Sequence, residues 1–256
     1  MLAMTEPRRS RTYSDETGGD ALPGDVCHKD VRYEFEDADA AIRDLEFAVI
    51  DFETTGSSPS RGDRAVEVGV VRVAGDGREV ARYETLIQPD RSPGPTFVHK
   101  ITASMLADAP RFADIAGDLS AVLDGAVLVA HNAAFDTRFL IAEFFRAGHV
   151  PPDVRRLCTV QLMRRGRPGL SSYRLTNCCR AAGVSLENHH TALDDAAATA
   201  EVLAYAFAGH AEQGRHYLSE MRPKGRSTAW PKLPTDGPRW TRADYAQLSE
   251  PTLFPM

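Results

Sequence analysis

Glu46-Phe47-Ala48-Val49-Ile50-Asp51-Phe52-Glu53 is an apolar run of strand length that finishes on two carboxylates and is stopped by Thr54-Thr55-Gly56. Side chains alternate between the faces of a strand, so Asp51 and Glu53 share one face while Phe52 points to the other, into the core. Two acids at the end of a buried strand cost free energy unless something cationic compensates them. A bound metal does that. An Arg or Lys partner does it too, and for an isolated pair that is the commoner arrangement.

Outward from this strand, Ala65 to Ala74 is rich in valine, Gly75-Asp76-Gly77 is a turn signal, and Glu79 to Gln88 resumes an extended pattern. A meander of three antiparallel strands is expected. Pro89 to Pro95 reads as a loop. Helices are predicted over Ile101–Ala107 and Phe112–Leu123, and a short buried strand over Ala126–Ala130, closed by His131-Asn132. A helix over Ala133–Ala147 follows, with Gly148 as its stop, and further helices fall near 158–165, 172–182 and 191–208. Strands first and helices later, with one strand between, predict an α/β layer with a mixed sheet.

Residues 1–40 lack sustained periodicity and read as a disordered N-terminal tail. The folded domain is expected over 41–210. Residues 211–256 form a C-terminal extension, read mostly as a Pro-rich tail because Pro223, Pro231, Pro234, Pro238 and Pro251 interrupt it. With 43% apolar and 26% charged residues the composition is that of a soluble globular protein. No stretch approaches the roughly 20 apolar residues of a membrane span, and no secretory segment opens the chain. The four cysteines contain no CxxC pair, which predicts reduced thiols, a cytoplasmic location and no zinc site.

A net charge of −6 argues against a non-specific nucleic-acid binder. The average hides an asymmetry. Between Val154 and Leu186 there is no Asp or Glu, yet Arg155, Arg156, Arg164, Arg165, Arg167, Arg174 and Arg180 all fall there. Such a run is either a solvated surface or a rim that binds phosphates.

Two further acids join the first pair. Asn132 is a candidate N-cap, which puts Asp136 in the first turn of the helix after it. Thr191 and Asp194 fit a capping-box-like pattern, so Asp195 stands four residues after its cap, as Asp136 does. Both carboxylates lie near a positive helix end, which favours their ionised form, although ordinary capping gives the same pattern. Asp194 shares a stripe with Glu201 and Tyr205, a solvent face; Asp195 aligns with Thr199, Val202 and Ala206, which could flank a cleft. Asp195 is therefore read as the ligand and Asp194 as the cap. His190, on the preceding loop, carries an imidazole, a side chain that can accept a proton from an attacking water. Two divalent ions of the Mg²⁺ or Mn²⁺ kind want oxygen ligands, and such a pair can clamp the attacking and leaving oxygens of a phosphoryl displacement.

Asp51-Phe-Glu53-Thr-Thr-Gly56, His131-Asn-Ala-Ala-Phe-Asp136 and His190-x4-Asp195 together resemble the three exonuclease motifs of the DEDDh group, with a likeness to proofreading epsilon subunits of bacterial DNA polymerase III. The similarity covers about residues 46–208 and includes Val98-His99-Lys100-Ile101-Thr102, where Lys100 replaces the group's usual glycine. The resemblance implies a ribonuclease-H-like fold and hydrolysis from a 3′ end to nucleoside 5′-monophosphates. It implies Asp51, Glu53, Asp136 and Asp195 as ligands of two divalent cations and His190 as base. Thr54, Thr55, Gly56, His99 and Phe135 would contact the terminal nucleotide. The implied partner is a nucleic-acid 3′ end; the motifs are shared by DNA and RNA exonucleases, DNA is taken as the leading substrate and RNA as the alternative, and any polymerase partner is a separate chain. Gln247-Leu248-Ser-Glu-Pro-Thr-Leu253-Phe254 is faintly similar to sliding-clamp-binding peptides, although exposed apolar residues in a tail are the simpler account. A non-catalytic module that binds nucleic-acid ends is the competing reading from another class.

Overall fold

The structure is a computed structural model that describes residues 40–153, 156–186, 190–208 and 229–249. The expected N-terminal tail, residues 209–228, His189, Arg155 and the chain beyond residue 249 lie outside the described residues.

Alternation along one strand sorts the core into two layers. Strand β1 (Glu46–Thr54) pairs antiparallel with β2 (Ala65–Ala74), which pairs antiparallel with β3 (Glu79–Leu86). On its other side β1 pairs parallel with β4 (Val127–Ala130), and β4 parallel with β5 (Arg156–Cys158). The sheet order is β3-β2-β1-β4-β5, the expected mixed sheet. Helix α1 (Ala40–Arg43) precedes β1. The short helices α2 (Thr96–His99) and α3 (Ala103–Leu106) follow β3, and α4 (Phe112–Leu123) leads into β4. Helix α5 (Ala133–Arg146) links β4 to β5, and then come α6 (Thr159–Gly166), α7 (Leu175–Ala182), α8 (Ala192–Ala208) and α9 (Arg242–Ser249).

Phe47 and Val49 of β1 pack with α6, α7 and α8 on one side of the sheet; Ala48, Ile50 and Phe52 pack with α4 and α5 on the other. By the same alternation Asp51 and Glu53 belong to the α8 side. The two-layer arrangement thus aims both carboxylates toward the helix that carries Asp195.

The helix expected near 158–165 is present as α6, and the strand β5 before it was not expected. At three residues it is too short to show a period, and only its parallel pairing with β4 makes it a strand. Helix α7 begins at Leu175 rather than 172, because Tyr173 offers its carbonyl to His131 instead of to a helical turn.

The C-terminal segment departs most from its reading as a tail. Trp230 is 5% exposed, lies 5.2 Å from the Phe144 ring, and donates its N–H to Asp124 Oδ1. At Gly117 the backbone of Pro234 comes so close that a Cβ would collide with the Pro234 carbonyl oxygen. Trp240 then extends the sheet edge: Leu86 N–H donates to the Trp240 carbonyl at 2.8 Å, and Trp240 N–H donates to Thr85 Oγ1 at 3.1 Å. An edge strand left bare would invite pairing with another chain, and this strap occupies the end of that edge at Thr85 and Leu86. The prolines suit the role, since an extended strap on an edge needs few of its own N–H groups.

Candidate active site

The carboxyl ends of parallel strands β1 and β4 form one rim of the sheet, where open α/β sheets bind ligands. β1 delivers Asp51 and Glu53 there, and β4 runs into the turn His131-Asn132 that starts α5. Asn132 does not cap this helix with its side chain: it adopts a left-handed conformation, φ 74° and ψ 52°. Asparagine tolerates that region better than most residues, so it serves as a corner rather than a cap. Asp136 still falls in the first turn of α5, 3% exposed, and its Oδ1 accepts the Phe52 N–H at 3.3 Å. This bond ties the Asp136 carboxylate to the residue between Asp51 and Glu53.

The third acid arrives through a close approach. Asp51 is the register partner of Gly69 on β2. A Cβ at Gly69 would stand 2.3 Å from the backbone of Ala192 and Leu193, so the glycine lets the first turn of α8 lie directly on the sheet. Thr191 caps that turn as expected, with its hydroxyl donating to Asp194 Oδ2 at 2.7 Å. Asp195 turns inward at 5% exposed. Its Oδ2 accepts the His190 N–H at 3.3 Å. Glu53, His190 and Asp195 offer ligand atoms that all lie within 4.8 Å of one another.

Charge crowding marks the place. Burial, then the fields of Asp136, Asp195, Glu53 and Glu67, hold the Asp51 carboxyl well above the usual carboxylate range. Burial first, then Glu67 and Asp195, push Glu53 up to about 8, against a smaller opposing pull from Arg242. Burial pushes Asp136 up to about 7. Asp51 therefore stands within the fields of Asp136, Asp195 and Glu53, and ionising these acids together is opposed by burial and by their mutual repulsion. A site built this way fits hard divalent cations: its donors are carboxylate oxygens, and the repulsion disappears when a cation sits among them.

Two residues of the site escaped the sequence reading. Glu67, 4% exposed, is the cross-strand partner of Glu53. Its Oε2 accepts the Ala192 N–H at 3.0 Å, satisfying a donor that the start of α8 leaves open. Arg242 reaches in from the C-terminal segment and grips Glu67 with Nε and Nη2, at 2.7 and 2.8 Å. An acid interrupting the valine pattern of β2 was the visible signal for Glu67. Arg242, in a stretch read as a tail, gave none.

The expected nucleotide contacts divide. Thr54 and Thr55 are 8% and 7% exposed, and their hydroxyls are engaged within the turn, Thr54 Oγ1 donating to the Gly56 carbonyl and Thr55 Oγ1 accepting the Arg64 N–H. Gly56 is half-buried beside them, and Phe135 is half-buried with its ring centroid 5.0 Å from that of Phe139. His99 has a different task from the one expected. It is 1% exposed; Nδ1 accepts the Ile101 N–H at 3.0 Å, which leaves Nε2 to donate to the Pro93 carbonyl at 3.2 Å. Both ring nitrogens are spent on the loop, which Lys100 turns by adopting φ 61°.

Residues 48–203 match the profile of the Exonuclease family, RNase_T. The chain belongs to this family. The exonuclease is 38% identical over 182 residues to the DNA polymerase III subunit epsilon of Treponema pallidum, covering 70% of this chain and 84% of that protein. It is 36% identical over 156 residues to the 3′-5′ exonuclease DinG of Bacillus subtilis, covering 60% of this chain but only 16% of that one. Among solved structures, E. coli Exonuclease I in complex with a dT13 oligonucleotide superposes with a TM-score of 0.61 at 20% identity, covering 69% of this chain and 46% of that chain. The nuclease domain of 3′hExo, a DEDDh family member bound to rAMP, gives 0.56 at 16% identity, covering 71% and 97%. These two likenesses establish the ribonuclease-H-like fold of the exonuclease, and the family match with the epsilon relative makes it a 3′–5′ exonuclease of the DEDDh type. No described helix is long and apolar enough to cross a membrane.

Proposed function

We propose that this exonuclease removes nucleotides from the 3′ end of DNA, in proofreading or repair, with two divalent cations held by Asp51, Glu53, Asp136 and Asp195. The observation that carries this reading is the gathering of these four acids and His190 at one end of the sheet, with Asp51, Glu53 and Asp136 all shifted upward by burial. When bound, the ions would supply a clamp for the attacking and leaving oxygens of the displacement. The chain's own residues do the rest. Asp51 and Glu53, fixed by the register of β1, hold one wall of the site; Asp136 and Asp195, fixed by the starts of α5 and α8, hold the other. His190 accepts the proton of the attacking water, and its position beside Glu53 and Asp195 keeps it within reach.

The arginines at 156, 164, 165, 167, 174 and 180 occupy exposed positions on β5, α6, α7 and the loop before α7. His131 ties this layer to the site, its ring nitrogens meeting Thr159 Oγ1 and the Tyr173 carbonyl at 2.9 Å each. Arg164 lies over the Tyr173 ring at 5.5 Å. These exposed arginines are where the strand leading to the site would lay its phosphates, which reconciles a net charge of −6 with an anionic substrate. The epsilon relative supports DNA as substrate and a separate polymerase chain as partner.

The test is the purified protein with 3′-labelled single-stranded DNA, a mismatched 3′ end and RNA of the same sequence, each with Mg²⁺ or Mn²⁺. Release of deoxynucleoside monophosphates, abolished in Asp51→Ala, is expected. Preference for RNA would move the assignment to an exoribonuclease, and end binding without turnover in any metal would replace it with a binding module.

A further inference from the structure

We propose that Arg242, carried in by the C-terminal strap, is a positioning residue that latches His190 in its left-handed backbone conformation. The inference rests on the nuclease reading for its kinetic consequences and on geometry alone for the latch itself.

Three observations converge. First, Arg242 distributes its donors over three partners from separate parts of the chain: the Glu67 carboxylate, the His99 carbonyl through Nη1 at 2.9 Å, and the His190 carbonyl through Nη2 at 2.9 Å. A planar guanidinium with donors at fixed angles can do this, whereas an ammonium offers one point charge. Second, His190 has φ 77°, a left-handed conformation that a β-carbon disfavours. Such a backbone persists only where its surroundings hold it. Here both peptide flanks of the residue are held, the N–H by Asp195 Oδ2 and the carbonyl by Arg242. Third, the strap is firmly placed where it delivers Arg242. Trp240 pairs with the β3 edge and donates its indole N–H to the Met105 carbonyl at 3.0 Å, and Thr241 caps the helix of Arg242 through Asp244.

The latch also separates the two neighbouring glutamates. Gripped by Arg242 and by the Ala192 N–H, Glu67 is occupied with holding the start of α8, and Glu53 is left for the site. One guanidinium therefore fixes, through Glu67 and the His190 carbonyl, the first turn of α8 and the His190 peptide before it. A residue acting in this way changes how well His190 is aimed, not how substrate is held.

The experiment compares Arg242→Ala, Arg242→Lys and wild type, each also in a His190→Gln background. Misplacement of a reacting group by about 1 Å can cost 10²-fold, so kcat is expected to fall roughly ten- to a hundredfold with KM nearly unchanged. Arg242→Lys is expected to retain the fold, through its charge opposite Glu67, but to recover only part of kcat. In the His190→Gln background the Arg242 substitutions should add little, because the group they aim is gone. Hydrogen exchange of the amides from His190 to Asp195 should accelerate in both Arg242 variants while the β1 and β2 amides stay protected. Should Arg242→Ala fail to fold, the lysine variant carries the same comparison. An equal loss on top of His190→Gln, a loss confined to KM, or unchanged exchange in the loop overturns the latch. An inactive wild type removes the nuclease reading instead, and the exchange measurement still decides the latch.

Discussion

Glu53 and Glu67 are direct partners across the β1–β2 ladder, 9% and 4% exposed, so two like charges face each other inside the fold. Opposed like charges destabilise a strand pair, and burial sharpens the conflict. The chain answers it on one side only. Arg242 and the Ala192 N–H take up Glu67, and Glu53 keeps a carboxyl pushed up to about 8. The asymmetry defines which acid is structural and which stands ready for a cation.

Replacing the structural acid should therefore damage the fold more than a surface change would. Glu67→Gln leaves the Arg242 guanidinium without its ionic partner, and losing charged hydrogen bonds of this kind costs about 2–3 kcal/mol. Urea unfolding should show the midpoint falling with an unchanged slope. A variant as stable as wild type would mean that the Arg242–Glu67 pair only offsets its own desolvation.

The raised carboxyls predict an unusual dependence on pH for the metal-free protein. Glu53 and Asp136 bind protons more tightly in the fold than in the unfolded chain, so the native state holds more protons between the two sets of pKa values. Their contribution to stability is complete below the unfolded carboxylate range and is lost as pH rises through about 7 and 8. Thermal unfolding in EDTA should give a melting temperature that declines from about pH 5 to about pH 9, and millimolar Mg²⁺ or Mn²⁺ should reverse the decline. A flat profile, or no response to either ion, would count against a shared cation site.

Gly69 is predicted to be irreplaceable for reasons of space. A Cβ there meets backbone of α8 at 2.3 Å, and backbone cannot rotate away as a side chain can. Gly69→Ala should cost about 1–3 kcal/mol, the usual penalty of overfilling a packed contact. Because the displaced turn carries Asp195, activity should fall further than stability. Measuring kcat well below the melting transition separates the two effects; full activity in this variant would show that α8 can shift without moving its carboxylate.

Most of this architecture was legible because its signals are local. The face shared by Asp51 and Glu53 follows from a period of two, and the choice of Asp195 over Asp194 from the helical stripe. Asp195 does face inward and Asp194 does join Thr191 at the cap, as the stripe placed them. What stayed hidden was non-local. Strand β5 exists only by pairing with β4, His99 is engaged by backbone groups of its own loop, and Arg242 meets Glu67 across 175 positions of sequence. A proline-rich stretch looks alike whether it is free or laid along a sheet edge, since neither state has a hydrophobic period.

Asp51 supplies the sharpest test, because its two roles pull in opposite directions. In the metal-free fold its carboxyl is partly withdrawn from water and is repelled by Asp136, Asp195, Glu53 and Glu67, so the charge is a burden. Asn has nearly the same shape and no charge. Asp51→Asn should therefore raise the melting temperature in EDTA near pH 8, while activity falls by on the order of 10³-fold or more as several kcal/mol of transition-state stabilisation are lost, at about 1.36 kcal/mol per factor of ten. The stabilisation given by added Mg²⁺ should shrink as well, since a weaker site shifts the folding equilibrium less. A residue retained only for packing would behave otherwise: its amide variant would be neutral in stability and active. Gain of stability together with loss of turnover is the signature of a charge kept for chemistry at the expense of the fold.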